Sequence, residues 1–186
     1  LTLKANQLGS TAGNFVGIDV NGATVTTTGS GNVLLQGRGG DTGNDNSGVR
    51  VRGGGVVSGT GTVTVTGNGG SGNGGSNYGV YVVDTSSQIT SSGGAVSVTG
   101  TGGGSGSSHG NFGVFVNYGG AITSAGTLAG ATVTVEGHGG NTLGSGSSNF
   151  GVYVYDSTAQ ITSNGGAVSV TGTGGGATSS VSNIGV

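Results

Sequence analysis

Asn77-Tyr78-Gly79-Val80-Tyr81-Val82 is the stretch whose reading decides the fold. It returns as Asn111-Phe112-Gly113-Val114-Phe115-Val116 and as Asn149-Phe150-Gly151-Val152-Tyr153-Val154. Weaker copies are Asn46-Ser47-Gly48-Val49-Arg50-Val51, the run Val16-Gly17-Ile18-Asp19-Val20, and the closing Asn183-Ile184-Gly185-Val186. Motif glycines therefore stand at 17, 48, 79, 113, 151 and 185, at intervals of 31, 31, 34, 38 and 34. Self-similarity at such a period is the signature of a stacked solenoid, in which no repeat folds alone.

Outward from the motif, residues 77 to 110 serve as the type repeat. Tyr78, Val80 and Val82 alternate with Gly79 and Tyr81, the period-2 pattern of a half-buried strand. Asp84 to Ser87 supply turn-forming side chains, Gln88-Ile89-Thr90 reads as a second strand, and Ser91 to Gly94 turn again. Val96 to Thr99 form the third strand, before a long Gly/Ser loop. Its counterparts begin at Val33, Val63, Val133 and Val168, and the second strand is centred on Val25, Val56 or Val57, Ile122 and Ile161. The expected fold is all-β: a right-handed parallel β-helix with three short strands per coil and roughly five and a half coils, each about 4.8 Å above the last. A count of two smaller coils per repeat competes, but the two halves of a repeat do not resemble each other.

The repeats read as 14–45, 46–76, 77–110, 111–148 and 149–182, with 1–13 ending a preceding repeat and 183–186 opening another. The chain lacks methionine, at position 1 as elsewhere, and both ends read as parts of repeats. A window of a longer, uncapped array is the expectation.

Of 186 residues, 49 are glycine, while Pro, Cys, Met and Trp are absent, which removes disulfides and thiolate metal sites. Lys4, Arg38, Arg50 and Arg52 are the whole Lys/Arg complement, too few to neutralise a nucleic-acid backbone. No apolar run approaches the roughly 20 residues of a membrane-crossing helix. A formal charge of -2 and recurrent Val, Ile and Thr argue for order despite the glycine.

Stacking aligns equivalent residues. Asn46, Asn77, Asn111, Asn149 and Asn183 each lie two places before a motif glycine and are expected to form an asparagine ladder along one corner. Tyr78, Phe112, Phe150 and Ile184 are expected to stack inward, and Tyr81, Phe115 and Tyr153 outward as an apolar contact stripe with Tyr118 and Tyr155 nearby. Stabilising the sheet by ring-on-ring contact is the alternative role of that stripe.

Chemistry is thin. Asp84 and Asp156 hold equivalent turn positions two coils, about 9.6 Å, apart, near the upper limit for an inverting glycosidase pair. Asn21 and Asn117 stand at similar places in other repeats, which suits turn formers better. Asp41 and Asp45 are the candidate metal ligands, in the densest oxygen cluster, but no calcium-loop pattern accompanies them. His109 and His138 read as loop residues. The outward hydroxyls of Thr64, Ser97, Thr134 and Ser169 form a row that Leu34 interrupts. No catalytic residue and no cofactor is expected.

The run from Gln88 to Gly104, QITSSGGAVSVTGTGGG, and its near copy from Gln160 to Gly176 resemble the repeats of giant bacterial surface proteins, the filamentous-haemagglutinin-like adhesins and related β-strand-repeat exoproteins. The resemblance implies a secreted or cell-surface β-helical shaft serving attachment or biofilm matrix. The expected function is thus a structural fibre module joined head to tail with its own kind. A glycan- or cell-surface-binding module using the aromatic stripe is the alternative, and a polysaccharide-degrading enzyme the third.

Overall fold

The structure is a computed structural model that describes residues 1–177 and 179–186. After β1 (Thr2–Ala5), the chain makes five successive groups of three strands. They are β2 (Ile18–Asn21), β3 (Thr24–Thr26) and β4 (Val33–Arg38); β5 (Val49–Arg52), β6 (Val56–Gly59) and β7 (Val63–Asn68); β8 (Val80–Val83), β9 (Gln88–Ser91) and β10 (Val96–Thr101). Then follow β11 (Val114–Asn117), β12 (Ala121–Ser124) and β13 (Val133–His138), and β14 (Val152–Tyr155), β15 (Gln160–Ser163) and β16 (Val168–Thr173). Each strand pairs in parallel with its counterpart one repeat away, giving one six-stranded and two five-stranded sheets. The protein is a β-solenoid of about five coils, one coil per repeat with three strands each.

Register follows the motif. Val80 pairs with Val114, which pairs with Val152, and Val57 rather than Val56 sits between Val25 and Ile89. Five of the six strands of the six-stranded sheet run two residues past the apolar pattern, ending in a pair such as Gly100-Thr101. Repeat length varies at the corners. Eight residues, 125–132, separate β12 from β13, against four, 92–95, between β9 and β10. That difference accounts for the interval of 38 instead of 34, because one-residue differences at the other two corners cancel.

Inward columns of Val, Leu and Ile from all three sheets form one continuous core, with Val51, Val82, Val116, Ile89 and Ile122 fully buried. At the end of the second sheet's strands the core turns polar. The inward Ser91, Ser124 and Ser163 hydroxyls donate to the corner carbonyls of Gly61, Gly94 and Ala131 at 2.8, 2.8 and 2.6 Å. Short hydroxyls there satisfy carbonyls at the half-buried edge of the core.

One expectation needs correction. Tyr78, Phe112 and Phe150 do not enter the core; they lie outside, edge-on to Tyr81, Phe115 and Tyr153. Ile184 is 51% exposed. The cause is Gly79 and its equivalents. A Cβ on Gly79 would sit 2.3 Å from the Thr101 nitrogen and 2.7 Å from the Gly100 carbonyl carbon, so this position already faces inward. Val80 also faces inward, so the two-residue alternation slips by one and Tyr78 lands on the same face as Tyr81.

The Gly/Ser segments hold no strand among the described residues, as expected of connecting loops, but their first residues carry the coil-to-coil bonding on past the strand ends. Gly69, Gly102 and Gly139 donate to the carbonyls of Thr101, His138 and Thr173 at 2.8 Å, and Gly70, Gly103 and Gly140 donate to those of Asn46, Asn77 and Asn111 at 2.8 Å. Glycine pairs permit this because the backbones touch: a Cβ on Gly103 would lie 1.9 Å from the Gly70 oxygen.

Candidate functional site

The face built by β5, β8, β11 and β14, with the corner that precedes it, carries every residue singled out for contact. Its corner is a chain of amides. Each ladder asparagine gives one Nδ2 proton to the Oδ1 of the next: Asn46 to Asn77 at 3.2 Å, Asn77 to Asn111 at 3.2 Å, Asn111 to Asn149 at 2.9 Å and Asn149 to Asn183 at 3.4 Å. The same Oδ1 atoms accept the backbone N–H of the preceding rung at 2.9 to 3.2 Å. The second Nδ2 proton holds the local turn, on the Thr42, Gly74 and Gly146 carbonyls or the Ser108 and Ser180 hydroxyls. Both amide donors are used, which aspartate cannot imitate.

A backbone feature absent from the sequence reading accompanies the ladder. The residue before each rung, Asp45, Ser76, Gly110, Ser148 and Ser182, has φ between 57° and 64°. That left-handed step turns the asparagine into the stack, and glycine fills it only once although it is the residue that takes this conformation without steric cost.

Next to the corner stand two columns of rings. Tyr78, Phe112 and Phe150 stack at centroid distances of 5.3 and 5.0 Å, and Tyr81, Phe115 and Tyr153 at 5.0 and 5.4 Å. Neighbours across the columns meet edge to face at 4.9 to 5.1 Å. Phe112 and Phe115 keep only 9% and 7% of their surface exposed. Ring faces are therefore turned on one another along the stack and ring edges face outward. Burial pushes the Tyr81 hydroxyl up to about 12, with the neighbouring Tyr78 adding to the effect. Tyr118 and Tyr155 are the open aromatic side chains, at 61% and 49% exposure.

Arg50 extends the Tyr81 column one coil further and ends in an ion cluster. Its guanidinium and that of Arg52 both reach Asp19 Oδ2 at 2.9 Å. Partial burial raises the Asp19 pKa, but hydrogen bonds from Arg52 and Arg50, and then their charges, outweigh it and hold the carboxyl at about 2.

Other carboxylates serve the backbone. Asp84 Oδ2 accepts the Gly53 N–H at 2.9 Å, and Asp156 accepts the Tyr118, Thr158 and Ala159 N–H groups. Hydrogen bonds led by the Thr158 hydroxyl lower the Asp156 pKa. Asp41 pairs with Arg38 at 3.0 Å and accepts from Ser71 and Thr11, while Asp45 occupies a left-handed turn position. Among the described residues no group of three or more His, Asp or Glu side chains is placed to hold a metal ion. His109 is exposed, and His138 lies 3.1 Å from Glu136. Leu34 does adjoin Thr64 in the outward hydroxyl row. On the adjacent sheet Thr26, Ser58, Thr90, Thr123 and Thr162 form a row that nothing interrupts, with hydroxyl contacts of 3.0 Å at either end. Sequence reading passed over this row; its signal was the hydroxyl residue that follows each second-strand apolar centre.

A recess of about 360 Å³ forms an open groove between the Gly/Ser segments of two successive coils, lined by Gly102 to Gly104 and Gly139 to Asn141. No protein-family model, no curated protein and no solved structure matches the chain.

Proposed function

We propose that the chain is a structural module of an extracellular bacterial fibre or adhesin shaft, a rod whose partners are further coils of its own kind. One observation carries this reading: the asparagine ladder and four of the six carboxylates are bonded to the coil above or below. Asparagine amides, Asp19, Asp41, Asp84 and Asp156 all hold a neighbouring coil. An enzyme would need a carboxylate pair turned into a cleft, and these carboxylates accept backbone and guanidinium donors instead. Attachment to glycans through the Tyr81, Phe115 and Tyr153 stripe would use exposed ring faces, and here the faces are covered. The likeness of the Gln88–Gly104 run to surface exoprotein repeats supports the extracellular setting.

Electron microscopy with fibre diffraction on the native assembly tests the proposal. A rod with an axial spacing of about 4.8 Å, resistant to protease and inert towards polysaccharide, is expected. Compact dispersed particles, or saturable glycan binding lost on Tyr81→Ala, would overturn it.

A further inference from the structure

Four Asn-Gly pairs occur in the chain: Asn21-Gly22, Asn68-Gly69, Asn73-Gly74 and Asn164-Gly165. Asparagine followed by glycine is the pair most open to intramolecular attack, because no Cβ keeps the glycine nitrogen from the asparagine side chain. In a folded chain that nitrogen must also be free to move onto Cγ. Gly69 N–H is held by the Thr101 carbonyl at 2.8 Å and Gly22 N–H by the Arg52 carbonyl at 3.0 Å, both inside coil-to-coil ladders. Gly165 N–H has a longer contact with Ser163 Oγ at 3.4 Å, and Asn164 Nδ2 one with the Ala125 carbonyl at 3.4 Å. Gly74 N–H has no acceptor among the described residues, and Asn73 is exposed with no side-chain hydrogen bond.

From this difference we propose that Asn73 is a modification site, deamidating spontaneously in the folded solenoid while the other three pairs are protected in the order of their hydrogen bonds. The Gly74 nitrogen bonds to Asn73 Cγ, the Cγ–Nδ2 bond breaks, and the Gly74 amide proton leaves with the departing ammonia. Water then adds across one of the two carbonyl–nitrogen bonds of the cyclic imide, giving aspartate or isoaspartate and a net exchange of NH3 for H2O. Each conversion adds one negative charge. It also disturbs the corner, because the Gly74 carbonyl accepts the Asn77 rung at 2.5 Å.

The test is peptide mapping by mass spectrometry of the folded protein aged at mildly alkaline pH, with a urea-unfolded sample alongside. Conversion at Asn73 at least about tenfold faster than at Asn68 is expected when folded, shrinking to within about twofold when unfolded. Equal rates at all four sites in the folded protein, or an intact Asn73 while Asn164 or Asn21 converts, would overturn the proposal. Asn73→Gln should keep the melting temperature and abolish the early acidic species on native isoelectric focusing. Persistence of that species in the variant counts against Asn73.

Discussion

At the scale of single residues, the asparagine corner and the Asp19 cluster show how much a sparse polar set can hold. Asn111 is fully buried; its Oδ1 accepts two donors from Asn77, and its Nδ2 reaches Ser108 and Asn149. Asn111→Ala leaves the Asn77 backbone N–H buried and unpaired, at a cost of about 2 to 4 kcal/mol read from urea denaturation. Asn111→Asp should cost at least as much, since a carboxylate replaces a donor beside the Asn149 oxygen. Asp19 makes the opposite kind of statement. Its folded pKa is about 2 against an ordinary 3.8, so its contribution is complete above about pH 4 and is lost as pH falls through about 2. Because the cluster is open to solvent, that contribution stays below about 1 kcal/mol. An NMR pH titration of Arg52→Ala should show the Asp19 midpoint moving up towards 3.8; an unmoved midpoint would assign the effect to Arg50 alone.

Strands and corners explain both what was legible in the residues and what was not. The three sheets could be read because stacking demands the same residue class at the same height in every coil. Val80, Val114 and Val152 announce their pairing by spacing alone. Tyr78 falls outside because strict alternation does not pass through Gly79, where the chain slips by one. In the Gly/Ser loops, composition is silent on the backbone-to-backbone hydrogen bonds that their leading glycines make between coils. For the candidate site, the rungs of the asparagine corner share a sequence offset. The left-handed residue before each rung, and the turning of ring faces onto one another, exist only in three dimensions. Contact between backbones also sorts glycines that look alike in sequence. A Cβ on Gly100, in β10, would lie 2.1 Å from the Gly113 oxygen, whereas one on Gly130 meets nothing within 4 Å. Gly100→Ala should therefore cost about 3 kcal/mol or more by forcing two strands apart. Gly130→Ala should be neutral or stabilise by up to about 1 kcal/mol through a less flexible unfolded chain. Thermal melts of the two variants side by side decide whether the glycine column is a packing requirement.

For the whole molecule, the parallel register makes a coil a removable unit. Val80 and Val114 occupy the same height in one sheet, and β7 and β13 both already match β10 residue for residue. Deleting residues 80–113 joins Gly79 to Val114, so that β5 receives β11 in place of β8 and β7 receives β13 in place of β10. The Tyr78, Phe112 and Phe150 column shortens by one ring without a break. The deleted coil's inward residues, Val80, Val82, Ile89, Val96 and Val98, are matched one for one by Val114, Val116, Ile122, Val133 and Val135 of the coil that takes their place. Stability in such an array is a sum over neighbouring coils, so the shortened protein should fold with one interface fewer. The deletion removes 34 of 186 residues, and the dependence of unfolding free energy on denaturant should fall by about a fifth, in step with the surface exposed. A deletion of 80–96 removes half of that length and serves as the contrast. It sets Gly79 against Ser97, placing a strand of one sheet where the next coil needs a strand of another, and breaks the ladder, the ring column and the core together. Circular dichroism and denaturant titration should show the first protein folded and cooperative and the second unfolded or aggregated. Equal damage from both deletions would mean that the coils are not interchangeable, and that corners such as 125–132 set the order in which they stack.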